Sequence, residues 1–559
     1  MNPEVADPVE EEHRPVLERA VAAAGRESVP VADWMRRLAA EKGYPYVEEF
    51  TPDEDRISAV PGRLWVGFGC LPVESPGPDG TRADEMPLVC GWPPTRNAER
   101  WLVCLTGRLP LWHFADPREI EKAILSRFGV GSLSLEDGDE LSGEAEEEEA
   151  AGGEEDEEAA VVRFVNEVID RALQDRATDI HFEPYRDRIR IRYRIDGVLV
   201  PIAVPGNLAR FHASIISRIK ILAKLNISEK RRPQDGRIAY SGKGREIDIR
   251  LSTFPTIHGE SISLRLLDQT NQVLTVEDLG LPNKDLAIIE RTLALPHGII
   301  LVTGPTGSGK TTSLNAFLRL IDSEKRRVMT VEDPVEYEMP GINQTQVREE
   351  IGLTFANVLR HILRQDPDVI MIGEIRDQDT ADIAVRSALT GHLVFSTLHT
   401  NDAPGALARL VDMGVEPFLI ASAVEMIIAQ RLVRRLCHSC RRKGPPDPVE
   451  LKRFEQLLGR RTEPDGDVYH SVGCDVCRSL GYRGRVGLYE ILTVRDKVHD
   501  MILANASARE IREAARTEGM KTMAEAAWEH VRAGTTTLEE CLRVIETLAV
   551  EDEESPYAP

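Results

Sequence analysis

Cysteine, aromatic side chains, long apolar runs and positive charge are all in short supply in this chain. Eight cysteines in 559 residues are far too few for a disulfide scaffold, which excludes a small stapled secreted fold. Aromatics make up 5% of the chain, and no stretch reaches the roughly 18 to 20 apolar residues that cross a bilayer. The most apolar window, Phe418 to Ala429, contains Glu425. The amino-terminal run MNPEVADPVEEEHR lacks the basic start and apolar core of an export signal, so a cytoplasmic location is expected. There are 69 Lys and Arg against 93 Asp and Glu, a formal charge of −24, so an electrostatic grip on nucleic acid is not the default. The deficit is local. Residues 136 to 158 hold fourteen acids and no base, and the rest of the chain carries −10.

What is present is enough chain for three or four domains. Residues 1–135 are mixed in character and proline-rich, with weak helical periodicity at Val31 to Lys42 and at Arg118 to Phe128. Residues 136–160 have almost nothing to bury and repel one another, which predicts an extended, solvated linker. Residues 161–270 then read as an α+β domain. Val162, Val165, Ile169 and Leu173 recur at helical spacing, and RIRIRYRIDGVL alternates strictly up to an Asp196-Gly197 hairpin turn. A second helix, Phe211 to Leu225, and the alternating runs REIDIRLST and ESISLRLLD complete it. Over 271–559 short apolar strands (GIILVTG, RVMTVED, VIMIGE, HLVFSTL) alternate with helices, the pattern of a mainly parallel sheet covered on both faces.

Gly304-Pro305-Thr306-Gly307-Ser308-Gly309-Lys310-Thr311-Thr312 matches the P-loop spacing between an apolar strand and a helix. Its glycines let backbone amides curl around phosphates, Lys310 is placed for the β and γ phosphates of ATP, and the Thr311 hydroxyl suits Mg²⁺. Carboxylates that orient water are offered at two strand ends: Glu332, Asp333 and Glu336 after RVMTV, and Glu374 after VIMI, where Gly373 stands in the usual Walker B aspartate position. His392 and His399 bracket the following strand, and both are expected to sense the γ-phosphate. Two C-x-x-C pairs, Cys437/Cys440 and Cys474/Cys477, supply four thiolates for a closed structural Zn²⁺ site. Arg431, Arg434, Arg435, Arg441, Arg442 and Lys443 around the first pair leave open a contact with nucleic acid or acidic phospholipid as well as a solvated basic face. Cys70, Cys90, Cys104 and Cys541 read as small buried hydrophobes.

In order, GPTGSGKTT, TVEDPVEYEMPGINQTQV and LRQDPDVIMIGEIRDQDTADIAVRSALTGHLVFSTLHTND resemble the Walker A, Asp box, Walker B and His box of the secretion ATPases, the GspE, PilB and PilT relatives. DIHFEP, RYRIDGVL, RRPQDGRI, GYRGRVGLYEIL and GMKTMAEAAWEHVRAGTTTLEE extend the likeness over roughly residues 161 to 548. The resemblance implies a homohexamer with a RecA-like P-loop core, a PAS-like α+β clamp before it and a small amino-terminal recruitment domain. It also implies a tetracysteine insert at about 431–492 and a helical carboxyl-terminal part at about 493–548. Arg237 and Arg250 are then similar to the arginines that reach the γ-phosphate, and Glu336 and Glu374 to the catalytic acids.

The tetracysteine insert and the long amino-terminal region resemble the GspE and PilB branch. That branch implies a polytopic inner-membrane platform protein and an inner-membrane assembly protein as partners, at the inner face of the membrane. Type II secretion is the expected function and type IV pilus extension its alternative. A nucleic-acid translocating ATPase and a non-hydrolysing scaffold are the readings from other classes; the first predicts DNA affinity that falls steeply with salt, the second near-zero turnover.

Overall fold

The protein is described by a computed structural model that covers residues 29–58, 68–74, 85–128, 152–186, 188–242, 245–267, 274–321, 323–462, 467–478 and 480–553, with a few single positions before residue 69. It divides into two compact units, Met1–Thr270 with Cys437–Arg441 and Ser471–Arg483, and Asn271–Leu436 with Arg442–His470 and Gly484–Pro559. Residues 136–151 of the expected linker lie outside the described residues. From Gly152 the chain is helical, so the last nine residues of that span begin a helix, Gly152–Gln174, instead of extending the tether.

The first unit holds two sheets. Strands β1 (Cys70–Pro72), β2 (Glu85–Cys90) and β3 (Leu109–Phe114) form a small mixed sheet in that order. It packs with the helices Val31–Lys42 and Pro117–Phe128 around Met35, Trp65, Leu71 and Phe114. Both helical periodicities in the amino-terminal region therefore correspond to real helices. Of the four cysteines outside the knuckles, Cys70, Cys90 and Cys541 are buried as expected, but Cys104 is exposed on helix Arg96–Thr106.

The larger sheet is antiparallel, built from β4 (Ala177–Pro184), β5 (Ile189–Ile195), β6 (Val198–Ile202), β7 (Gln234–Gly242), β8 (Arg245–Thr256) and β9 (Gly259–Leu267) in the order β6-β5-β4-β9-β8-β7. Strict alternation puts Ile180, Phe182, Ile191, Tyr193, Ile249, Leu251 and Leu264 on one face, packed with Phe164, Val165 and Val168 of helix Gly152–Gln174 and Ile215 and Ile219 of helix His212–Leu222. Each such side chain contributes about 1.5–3 kcal/mol by leaving water. Asp196 and Gly197 turn the β5–β6 hairpin with φ of 49° and 87°, the two left-handed positions of a type I′ turn.

In the second unit β10 (Gly298–Thr303), β11 (Val328–Glu332), β12 (Asn343–Gln346), β13 (Val369–Ile372), β14 (Leu393–Leu398), β15 (Val424–Leu436) and β18 (Tyr482–Thr493) lie in the order β12-β11-β13-β14-β10-β15-β18. A short hairpin of β16 (Arg442–Gly444) and β17 (Val468–His470) stands apart from it. The five pairings from β12 to β15 are parallel, and β10, β13 and β14 are buried at every residue. This is the doubly covered parallel sheet that the apolar runs predict. Since β15 runs to Leu436 and β18 reaches back to Tyr482, both ends of the span 431–492 are sheet strand. The four helices Asp496–Leu503, Ala508–Thr517, Met523–Arg532 and Leu538–Glu553 follow; capping boxes at Ser507/Glu510 and Thr522/Glu525 start the second and third. Among the described residues no helix is long and apolar enough to cross a membrane.

Candidate active site

The site begins where β10 stops. Beyond Thr303 the chain turns at Gly304, where φ is 148° and an added Cβ would lie 2.5 Å from the Gln430 carbonyl oxygen and 2.9 Å from Arg431 Nη1. No other residue fits there. The loop passes over exposed Pro305, Thr306 and Gly307 and enters helix Lys310–Arg319 through Gly309, at φ 88°. Thr311 is exposed and Thr312 half-buried on the first turn. Unsatisfied amides at a helix start and its positive dipole end make this loop an anion cradle. Buried Ser308 Oγ has no hydrogen-bond partner, which leaves one more donor for a phosphate oxygen.

Lys310 lies in that cradle, its Nζ donating to the carbonyls of Gly304 (2.7 Å) and Pro305 (3.1 Å). Burial lowers its pKa to about 8; the Glu374 carboxylate opposes that shift and Arg431 adds to it. Arg431, a residue expected on a basic outer face, is instead 4% exposed, its guanidinium against Gly304 and donating to Asn401 O and Oδ1 at 3.1 Å each. Arg434 is drawn inward too, donating to the buried Glu540 carboxylate at 2.7 Å. Neither offers its charge to a lipid or nucleic-acid surface.

Glu374 follows β13, directly after Gly373, whose amide donates to the Val331 carbonyl (2.8 Å). One carboxylate oxygen of Glu374 receives Arg376, and the other lies 3.1 Å from His399 Nε2. Burial alone would raise the Glu374 pKa, but Arg376 and then His399 hold it below the ordinary range. His399 is seated by its neighbour Thr400, whose amide donates to Thr303 Oγ1 at the end of β10 (2.9 Å).

The two histidines separate. In parallel register Gly298 faces Leu393 and Thr303 faces Leu398, so His392 lies at the amino end of β14 and His399 at the carboxyl end, about 23 Å apart at 3.3 Å per residue. His392 Nδ1 meets the Ser387 carbonyl (2.8 Å) at the end of helix Gln378–Leu389, a structural contact far from the cradle. The paired assignment therefore fails for His392.

The acids after β11 also divide. Glu332 is buried and accepts from Thr330 Oγ1 (2.7 Å) and Gln344 Nε2 (2.9 Å). Asp333 reaches Arg376 at 3.6 Å, while Glu336 lies half-buried in the loop three residues on. Arg376 and Arg431 are the site residues missed by sequence reasoning. Arg376 was within reach, because it stands two residues after Glu374 in IGEIRD and shares its side of an extended segment. Arg431 was not, because only the pairing of β15 with β10 brings it to Gly304.

Arg237 and Arg250 belong to the first unit. They face each other across β7 and β8, with Arg265 next in the same row, and line an open depression of about 540 Å³ with Asp235, Ser252 and Ser263. Arginines directly opposite one another repel. Arg265 in that row also meets Asp179, at 3.0 Å.

The four knuckle cysteines converge in the first unit, all sulfurs within 4.8 Å of one another. The separations are 3.8 Å for Cys437–Cys474, 3.8 Å for Cys440–Cys477 and 3.7 Å for Cys474–Cys477. A tetrahedron with metal–sulfur bonds of about 2.3 Å has edges of about 3.8 Å, so the donor set fits a closed tetrahedral ion. The amides of Gly473 and Gly481 donate to Cys440 and Cys477, both at 3.3 Å, and would stabilise thiolates.

A family model described as "Type II/IV secretion system protein" matches residues 154–543. The chain belongs to that family. Type II secretion system protein HxcR of Pseudomonas aeruginosa is 50% identical over 384 residues, covering 69% of this chain and 77% of the relative. The type IV pilus assembly ATPase PilB of Myxococcus xanthus is 41% identical over 517 residues, covering 90% and 89%. The solved ATPase DotB of Yersinia pseudotuberculosis is similar in fold, with a TM-score of 0.50 at 21% identity over 69% of this chain and 93% of that one. This secretion-family protein has the RecA-like fold and is an ATPase.

Proposed function

We propose that this chain is a homohexameric motor at the cytoplasmic face of the inner membrane that hydrolyses ATP to drive pseudopilus assembly in type II secretion. Its partners would be a polytopic platform protein and an inner-membrane assembly protein that binds the amino-terminal domain. The reading is carried by one observation: the Lys310 cradle and the Glu374–His399 pair stand at adjacent carboxyl ends of one parallel sheet. Lys310 and the loop amides bind the phosphates, and the Thr311 hydroxyl is the ligand this chain offers to Mg²⁺. The metal, when bound, neutralises phosphate charge. Glu374 orients and polarises a water that attacks the γ-phosphorus in line. The bond to the β–γ bridging oxygen breaks, the water's proton passes to the carboxylate, and ADP and inorganic phosphate leave. His399 holds the carboxylate, Glu336 assists, and Arg237 and Arg250 stabilise the transferring phosphoryl group. Four thiolates at Cys437, Cys440, Cys474 and Cys477 would hold Zn²⁺ as a structural crosslink.

The full chain with Mg²⁺ and ATP is expected to release phosphate steadily; near-zero turnover in the assembled hexamer would leave only a scaffold role. The Lys310 ammonium also sets a pH dependence. A lysine is charged below its pKa, here about 8, so ATP binding weakens as pH rises past 8, by up to about tenfold per pH unit. Titration of a fluorescent ATP analogue between pH 7 and 9.5 measures this, and a flat affinity contradicts it.

Type IV pilus extension is the second reading, favoured by the match to PilB across 90% of the chain against 69% for HxcR. Affinity capture with the full chain as bait discriminates. A single-pass inner-membrane assembly protein is expected for secretion, and recovery of pilus-alignment proteins instead would move the assignment to pilus extension.

A further inference from the structure

We propose that Arg376 is a positioning residue for ATP hydrolysis, which fixes the Glu374 carboxylate by clamping it to Asp333 across two neighbouring strand ends. The proposal rests on the reading that Glu374 is the catalytic acid. Glu374 follows β13 and Asp333 follows β11, and the two strands are parallel neighbours. One guanidinium nitrogen, Arg376 Nη2, contacts Glu374 Oε1 and lies 3.6 Å from Asp333 Oδ2. Glu374 Oε2 is left to His399 Nε2 at 3.1 Å. Each oxygen of the carboxylate thus has one partner, and the two partners come from different loops. A carboxylate on a freely rotating side chain samples several orientations, and one held at both oxygens keeps a lone pair aimed at one place.

The charged groups around Glu374 are Arg376 and Asp333 after β13 and β11, His399 after β14, and Lys310 on the P-loop helix, while Glu349 acts on Arg376. Arg376 is the strongest cationic influence on the carboxyl, ahead of His399, and burial works against both. Without Arg376 the burial contribution is less opposed. Glu374 then takes up its proton at higher pH, and the acid side of the rate profile moves up.

The test is steady-state ATP hydrolysis by the full chain from pH 5 to 9 for Arg376→Ala, Arg376→Gln and Arg376→Lys, with nucleotide-dependent thermal shift as the check on folding. In the Ala and Gln variants kcat is expected to fall about tenfold or more, KM for ATP to stay within about twofold, and the acid limb of kcat/KM to move up by about one pH unit. Arg376→Lys should return the limb part of the way, because it restores the charge on a more flexible stem whose ammonium is more strongly hydrated. A raised KM with an unmoved limb would overturn the proposal and make Arg376 a direct phosphate contact. Unchanged kcat and limb would overturn it outright. Where Arg376→Ala does not fold, the Gln and Lys variants decide on the same criteria. Glu374→Gln separates the two readings: if it keeps turnover, the assignment of Glu374 fails, whatever the Arg376 variants show.

Discussion

Lys310→Ala is expected to abolish ATP turnover, by about 10²- to 10³-fold or more, without loss of the fold. The ammonium is the one full positive charge inside the loop, and its neighbours there are carbonyl oxygens of Gly304 and Pro305, which stabilise it only partly against burial. Its lowered pKa means that the folded protein holds this charge at a cost. Between about pH 8 and the ordinary lysine range the unfolded chain binds the extra proton, so the wild type gains stability as pH rises through that window. Removing the amine removes this cost, and thermal stability near neutral pH should hold or rise slightly. Steady-state phosphate release with circular dichroism and thermal unfolding decides the matter. Turnover that survives would end the assignment of the cradle, and a protein that unfolds would show that Lys310 holds structure.

The second large effect is expected from metal. Freshly purified protein should carry about one Zn²⁺ per chain, and stripping it should unfold the knuckle while the parallel sheet stands. The knuckle has little apolar surface of its own: among its residues Leu480 packs against the clamp core, and Arg478 pairs with Asp175 just past the end of helix Gly152–Gln174. Structural zinc stabilises such segments by about 10 kcal/mol or more in isolated peptides, so most of the order here is expected to come from the ion. Cys477→Ser, or a strong chelator, should raise amide exchange at residues 471–483 and at 171–175 by at least about 10²-fold and leave β10, β13 and β14 protected. Absence of zinc in fresh protein, or unchanged exchange at 171–175, would contradict this. The seat of that effect is itself a finding. Read along the chain, the cysteines belong to the ATPase domain, but their two segments, Cys437–Arg441 and Ser471–Arg483, cluster with the clamp.

Much of the fold was legible wherever the signal is local. The alternation in RIRIRYRI is a strand because its period of two matches the pleat, and the Asp196-Gly197 turn follows because those residues tolerate left-handed φ. The cradle was legible for the same reason: a strand, its glycines and a helix start are consecutive. His392 shows where such reading stops. It and His399 bracket one strand, and a sequence does not display which end of that strand borders the P-loop; the register with β10 does. Arg431 and Arg434 look like part of a basic cluster until β15 pairs with β10 and Glu540 comes in from a helix about a hundred residues later.

The sequence by itself determined the phosphate cradle, the four-thiolate donor set, the alternating clamp sheet and the family, since each is written in neighbouring residues or in motifs of fixed order. Only the tertiary structure decided which acid, histidine and arginines share the site, and to which compact unit the knuckle belongs. Those outcomes depend on strand order, register and burial, which join residues tens to hundreds of positions apart. The free energy that selects such contacts comes from the packed sheet as a whole, and no local pattern carries it.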